Sequence, residues 1–113
     1  MNFPRKLAEP LRRLVHDLVV GAFTELESDG RAGRLTADQL RQALKVYPAT
    51  LIELPDEALE SADAYEVVGD ANAWAIDLDL WTAEEGRSDL TLEVTARVTP
   101  GEIELAIDDL HAQ

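Results

Sequence analysis

The sequence predicts an α+β domain, with two N-terminal helices packed on a C-terminal antiparallel β-meander of four to five strands. Three observations predict it. Residues 5–27 and 37–46 repeat apolar side chains at spacings of three and four, the period of a helix buried on one face. From Trp74 onward, successive runs alternate apolar and polar residues, the period of a half-buried strand. Turn formers (Asp29-Gly30, Pro48, Gly69-Asp70-Ala71-Asn72, Pro100-Gly101) stand between these runs. At 113 residues the chain is read as one domain, 1–113, with room for one core.

The first stripe runs through Leu7, Leu11, Leu14, Val15, Leu18, Ala22 and Leu26. Pro10 suits a first helical turn, so the helix is expected from about 9 to 27, with 5–8 less regular and Gly30 ending it. The second helix is expected from 37 to about 46. Thr36 is its N-cap, Gln39 closes a capping box, Leu35 can staple to Leu40, and Pro48 stops it. Thr50–Leu54 reads as a short strand, Pro55–Leu59 as a helical turn and Ala64–Val68 as a further strand.

Trp74–Trp81 then places Trp74, Ile76, Leu78 and Leu80 on one face, and Ala75, Asp77, Asp79 and Trp81 on the other. Leu90–Val98 alternates in the same way, with Thr91, Glu93, Thr95 and Arg97 on the wet face; Thr82–Asp89 is the loop between the two strands. Ile103, Leu105 and Ile107 carry the apolar side of a last strand from Glu102 to Leu110.

Charge separates the halves. Residues 1–52 hold eight basic and six acidic side chains; residues 53–113 hold two basic and seventeen acidic ones, within a net charge of −13. Such a field repels phosphate, so neither nucleic acid nor an anionic membrane is expected as a partner. A basic protein is. The competing account is that acidity serves solubility alone. Cysteine is absent, which excludes disulfides and thiolate metal sites. No stretch reads as a signal peptide or a membrane span, so cytoplasmic residence is expected.

The segment Glu27–Leu40 between the helices invites an EF-hand reading, but calcium needs oxygen ligands at fixed loop positions and both possible registers fail that test. No catalytic triad, phosphate loop or metal-ligand set is recognised, so neither cofactor nor metal is expected. Asp77 and Asp79 share a strand face, with Glu93 or Thr95 expected opposite them, and such carboxylates could share a cation or a proton. A solvated acidic face, with Arg97 as counter-ion, is the favoured account. In the loop, Glu84, Glu85, Arg87 and Asp89 are candidate recognition groups, with a structural role weighed ahead of it. Arg87 is expected to fork onto Glu85, Asp89 or a partner. Trp81, on the polar face, is an interface anchor if a partner covers it; cover by the N-terminal segment is the equal alternative.

The order of elements resembles the NTF2-like and cystatin-like architectures, a resemblance of topology that carries no functional residue across. The stretch Leu80-Trp81-Thr82-Ala83-Glu84-Glu85-Gly86-Arg87-Ser88-Asp89-Leu90-Thr91-Leu92-Glu93, with Tyr47-Pro48 and Ile107-Asp108-Asp109-Leu110-His111, resembles a family of small uncharacterised, mainly actinobacterial proteins. Some of these have the proportions of toxin-immunity proteins. The expected function is therefore a non-enzymatic, immunity-like interaction protein that binds a basic protein through Asp77, Asp79, Trp81, Glu84, Glu85, Arg87, Asp89 and Glu93. The alternative is an NTF2-like domain with a ligand-binding or catalytic cavity between helices and sheet. Only a weak homodimer is expected, because the acidic face repels its copy.

Overall fold

The computed structural model describes residues 5–70 and 72–112 and shows the α+β arrangement, helices ahead of a five-stranded antiparallel sheet. A short 3-10 turn, Arg5–Leu7, leads into α1 (Ala8–Val20), with Pro10 in its first turn as expected. The single helix expected over 9–27 is in fact two. Gly21 adopts φ +80°, and the Gly21 and Ala22 amides donate to the Leu18 and Asp17 carbonyls, closing a left-handed cap. The chain then re-enters a helix as α2 (Phe23–Ser28). Both helices face one core, so the stripe of Leu11, Leu14, Val15, Leu18 and Leu26 is buried across the break.

Helix α3 (Ala37–Val46) has the expected bounds, and its cap explains why. Thr36 Oγ1 accepts from the Gln39 amide at 3.1 Å, and Gln39 Oε1 accepts from the Thr36 amide at 2.9 Å. Between α2 and α3, Arg31 bridges Asp17 at 2.7 Å and Asp29 at 2.8 Å, while its carbonyl accepts the Ile107 amide at 2.8 Å. The Arg31 guanidinium holds the Asp29 carboxyl below its usual range. Gly33, at φ +64°, lies so close to the sheet that an added Cβ would stand 2.2 Å from the Ile107 oxygen. The loop considered for calcium is thus a clamp on a strand edge.

Strand β1 (Leu51–Ile52), α4 (Asp56–Glu60) and β2 (Asp63–Glu66) follow. β1 pairs with Thr82 and Trp81 at the end of β3 (Ala73–Thr82), and β2 pairs with Trp74 to Asp77 near its start. Both lie on one edge of β3, with α4 as the excursion between them. The turn expected at 69–72 includes Ala71, which lies outside the described residues; Gly69 has the left-handed φ expected there, +85°.

The other edge of β3 pairs with β4 (Gly86–Thr99), which pairs in turn with β5 (Glu102–Ala112). The loop expected over Thr82–Asp89 contracts to a turn at 83–85, so Arg87, Ser88 and Asp89 belong to β4. What allows this is an irregularity between Asp79 and Trp81. Ser88 fills it: its buried Oγ donates to the Leu80 carbonyl at 2.7 Å and accepts the Leu90 amide at 3.1 Å. A second irregularity leaves Asp108 without an opposite number, since Val94 faces Ile107 and Glu93 faces Asp109. Beyond it the phase inverts, which returns Leu110 to the core.

Leu7, Leu11, Leu14, Leu26 and Leu40 from the helical layer meet Ile76, Leu78, Leu80, Leu92, Val94, Ala96 and Ile107 from the inner sheet face. Trp74 lies on this side, as its register opposite buried Ala96 requires, but it is half-buried at the rim. Among the described residues, no helix is long and apolar enough to cross a membrane.

Candidate functional site

The outer sheet face is built by register. Asp63 on β2 stands opposite Asp77 on β3, Asp77 opposite Glu93 on β4, and Glu93 opposite Asp109 on β5. Neighbouring strands are about 4.8 Å apart, so these carboxylates form a transverse row roughly 15 Å long. Among the described residues, no lysine or arginine pairs with any of the four. Like charges directly opposite one another destabilise a sheet, so the row opposes folding. Beside it, Asp108 accepts a 2.6 Å hydrogen bond from Thr95 Oγ1.

The adjoining row is Asp79, Thr91 and His111. His111 Nδ1 lies 2.9 Å from Asp109 Oδ2 and 3.7 Å from Glu93 Oε2. That nitrogen is hidden from solvent and, despite the short approach to Asp109, makes no hydrogen bond of acceptable geometry. One donor atom from each of Glu93, Asp109 and His111 falls within 4.8 Å of the others.

The turn end of the sheet is different. Arg87 reaches Asp79, not Glu85 or Asp89, through Nε at 2.8 Å and Nη2 at 2.6 Å. Glu84 accepts from the Thr50 amide at 2.7 Å and the Thr50 hydroxyl at 3.0 Å, and these bonds, the amide's first, hold its carboxyl below the usual range. Glu85 accepts from the Tyr47 hydroxyl at 2.8 Å, and the same hydroxyl accepts the Asp89 amide at 3.3 Å. These groups tie the β3–β4 turn to the segment after α3. Arg97, expected as counter-ion of the sheet face, pairs instead with Asp70 at 2.7 Å and lowers that carboxyl. Trp81 is half-buried, with its ring over Gly86 and its indole N–H buried and without a hydrogen-bond partner.

Of the eight sequence candidates, the structure therefore leaves Asp77 and Glu93 facing outward in the row. Asp79 and Arg87 bond each other, and Glu84 and Glu85 bond the body of the domain. Asp89 is exposed beside them. Sequence reading did not select Asp63, Asp109 or His111. The strand expected from the sequence begins at Ala64, whereas β2 begins at Asp63. Asp109 and His111 lie beyond the bulge at Asp108, where strict alternation assigns them no common face with Glu93.

Between α1, α2, α3 and the sheet ends lies a half-open hollow of about 300 Å³. Val19, Phe23, Leu44, Tyr47 and Leu51 line it, and no carboxylate does. Residues 15–113 match the family described as "Domain of unknown function (DUF7668)". No curated protein and no solved structure matches the chain.

Proposed function

Because the chain belongs to the DUF7668 family of unknown function, we propose its function from geometry: it holds a basic protein segment on the outer sheet face. The observation that carries this reading is the in-register row Asp63–Asp77–Glu93–Asp109, left without arginine or lysine partners among the described residues. A lysine- or arginine-rich strand or helix laid across the sheet supplies the missing charge, and a field of this sign speeds its approach. A basic toxin is one partner of this kind, as the hairpin's resemblance to immunity-sized proteins implies. Recognition rests on the row; Trp81 lies four residues farther along β3, at the turn end of the sheet. The turn carboxylates are not part of it.

The test compares immobilised wild type with the Asp77→Asn/Asp109→Asn double variant in native lysate. A basic protein retained by wild type, released by salt and lost from the variant supports the reading. Retention of the same proteins by both reduces the face to a solvated surface.

A second reading rests on the 300 Å³ hollow between helices and sheet, whose mainly apolar lining, with Arg41 and Lys45 also in it, suits a small, largely apolar ligand. No carboxylate lines this hollow, so what it offers is binding; the larger open cleft of about 860 Å³ between α1 and β5 is the one lined by carboxylates, Asp17, Asp29, Glu102 and Glu104.

A further inference from the structure

We propose that Glu93, Asp109 and His111 form a site for one divalent transition-metal ion, Zn²⁺ fitting best, on the outer face of the β4–β5 ladder. The proposal goes beyond a basic partner and does not depend on one.

Placement comes first. Glu93 and Asp109 are direct cross-strand partners, and His111 is two residues beyond Asp109 on the same strand, hence on the same face. The three donors thus project from two paired strands, a stiffer platform than a loop. Distances come second. Ligands about 2.0–2.1 Å from a shared ion stand roughly 2.9 Å apart at octahedral and 3.3 Å apart at tetrahedral angles. His111 Nδ1 lies 2.9 Å from Asp109 Oδ2 and 3.7 Å from Glu93 Oε2, which brackets those spacings. All three donor atoms lie within 4.8 Å of one another, and the carboxylates would have to close on an ion held between them.

The surroundings of the nitrogen agree. His111 Nδ1 is hidden from solvent within a side chain that is 40% exposed, and the polar groups beside it are the two carboxylates, Asp109 at 2.9 Å without hydrogen-bond geometry and Glu93 at 3.7 Å. A metal ion between it and the two carboxylates satisfies it. Charge agrees: no arginine or lysine among the described residues neutralises Glu93 or Asp109, and Asp77 lies directly across from Glu93. One imidazole with two carboxylates is a borderline donor set, which favours Zn²⁺, Co²⁺ or Ni²⁺ over Mg²⁺ and Ca²⁺. Three protein ligands leave coordination positions to water.

The alternative is a protonated His111 held by two carboxylates with no ion. Titration of the isolated full-length chain with ZnCl₂ and CoCl₂, by calorimetry and by the Co²⁺ visible spectrum, separates the two. We expect one ion per chain, and binding weakened about tenfold or more in His111→Asn and in Asp109→Asn. His16→Asn, at a histidine beside a single carboxylate, and Asp79→Asn, at a carboxylate held by Arg87, should bind as wild type does. Circular dichroism of metal-free His111→Asn confirms that it folds. Absence of a one-to-one site, or His111→Asn binding as tightly as wild type, overturns the proposal. Equal uptake of Ca²⁺ by wild type and His111→Asn alongside equal Zn²⁺ does so too, since it marks diffuse counter-ions. The assay contains no partner protein, so its failure leaves the basic-partner reading standing.

Discussion

Two regions of one sheet use carboxylates in opposite ways. At the β3–β4 turn, Asp79 holds Arg87, Glu84 holds the Thr50 amide and Glu85 holds the Tyr47 hydroxyl. In the middle of the sheet, Asp63, Asp77, Glu93 and Asp109 face one another; among the described residues no lysine or arginine pairs with them, and the His111 imidazole lies beside Glu93 and Asp109. The turn acids are therefore part of what stabilises the fold, and the row acids work against it. Acidity alone does not mark a recognition surface. What marks it is the charge left over after the fold has met its own needs.

The largest expected effect falls on the turn end, at the residue that lets the two strands run together. Ser88→Ala leaves the Leu80 carbonyl and the Leu90 amide without their shared partner in a buried position. The loss should be about 1–3 kcal/mol in urea titration. A loss within error would mean that the strands hold their register without the serine, and the contrast between turn and row would lose its anchor.

Next come two substitutions of the same chemistry, eight or fewer ångströms apart by strand geometry, expected to differ in sign. Asp79→Asn weakens the pair with Arg87 and should destabilise by at most about 1 kcal/mol, since that pair is partly exposed. Asp77→Asn relieves repulsion from Asp63 and Glu93 and should stabilise by roughly 0.2–0.5 kcal/mol at low salt. The gain should fade near 1 M salt, where screening acts within about 3 Å. Destabilisation by both would show that the row acids have structural partners after all.

This division explains how much could be read from sequence. The period-two runs fix which side of β3 and β4 faces the core, and the Thr36–Gln39 box fixes α3. The break at Gly21 was hidden because Ala22, Phe23 and Leu26 continue the helical stripe, so only a single glycine signals it. Ser88 was hidden because its role needs a register that depends on side-chain packing. The row itself was half visible: Asp77 and Glu93 follow from the hairpin. Asp63 and Asp109 required the pairing of β2 and the extra residue at Asp108, which no local pattern in the chain encodes.

The smallest effect concerns pH, and its sign follows from which carboxyls the fold holds down. Glu84 titrates below its ordinary value because the Thr50 amide and then the Thr50 hydroxyl bond its charged form. A carboxyl lowered in the folded state adds stability above its unfolded pKa, near 4, and that stability is lost as pH falls through the folded value. Wild type should therefore lose stability on acidification below about pH 4, with Asp29 (held by Arg31) and Asp70 (held by Arg97) adding to the loss. Glu84→Gln cannot titrate, so urea midpoints at pH 6 and pH 3 should differ less in this variant than in wild type. If the two midpoints differ as much in Glu84→Gln as in wild type, the Thr50 bonds do not favour the charged carboxylate, and the turn loses the role that sets it apart from the row.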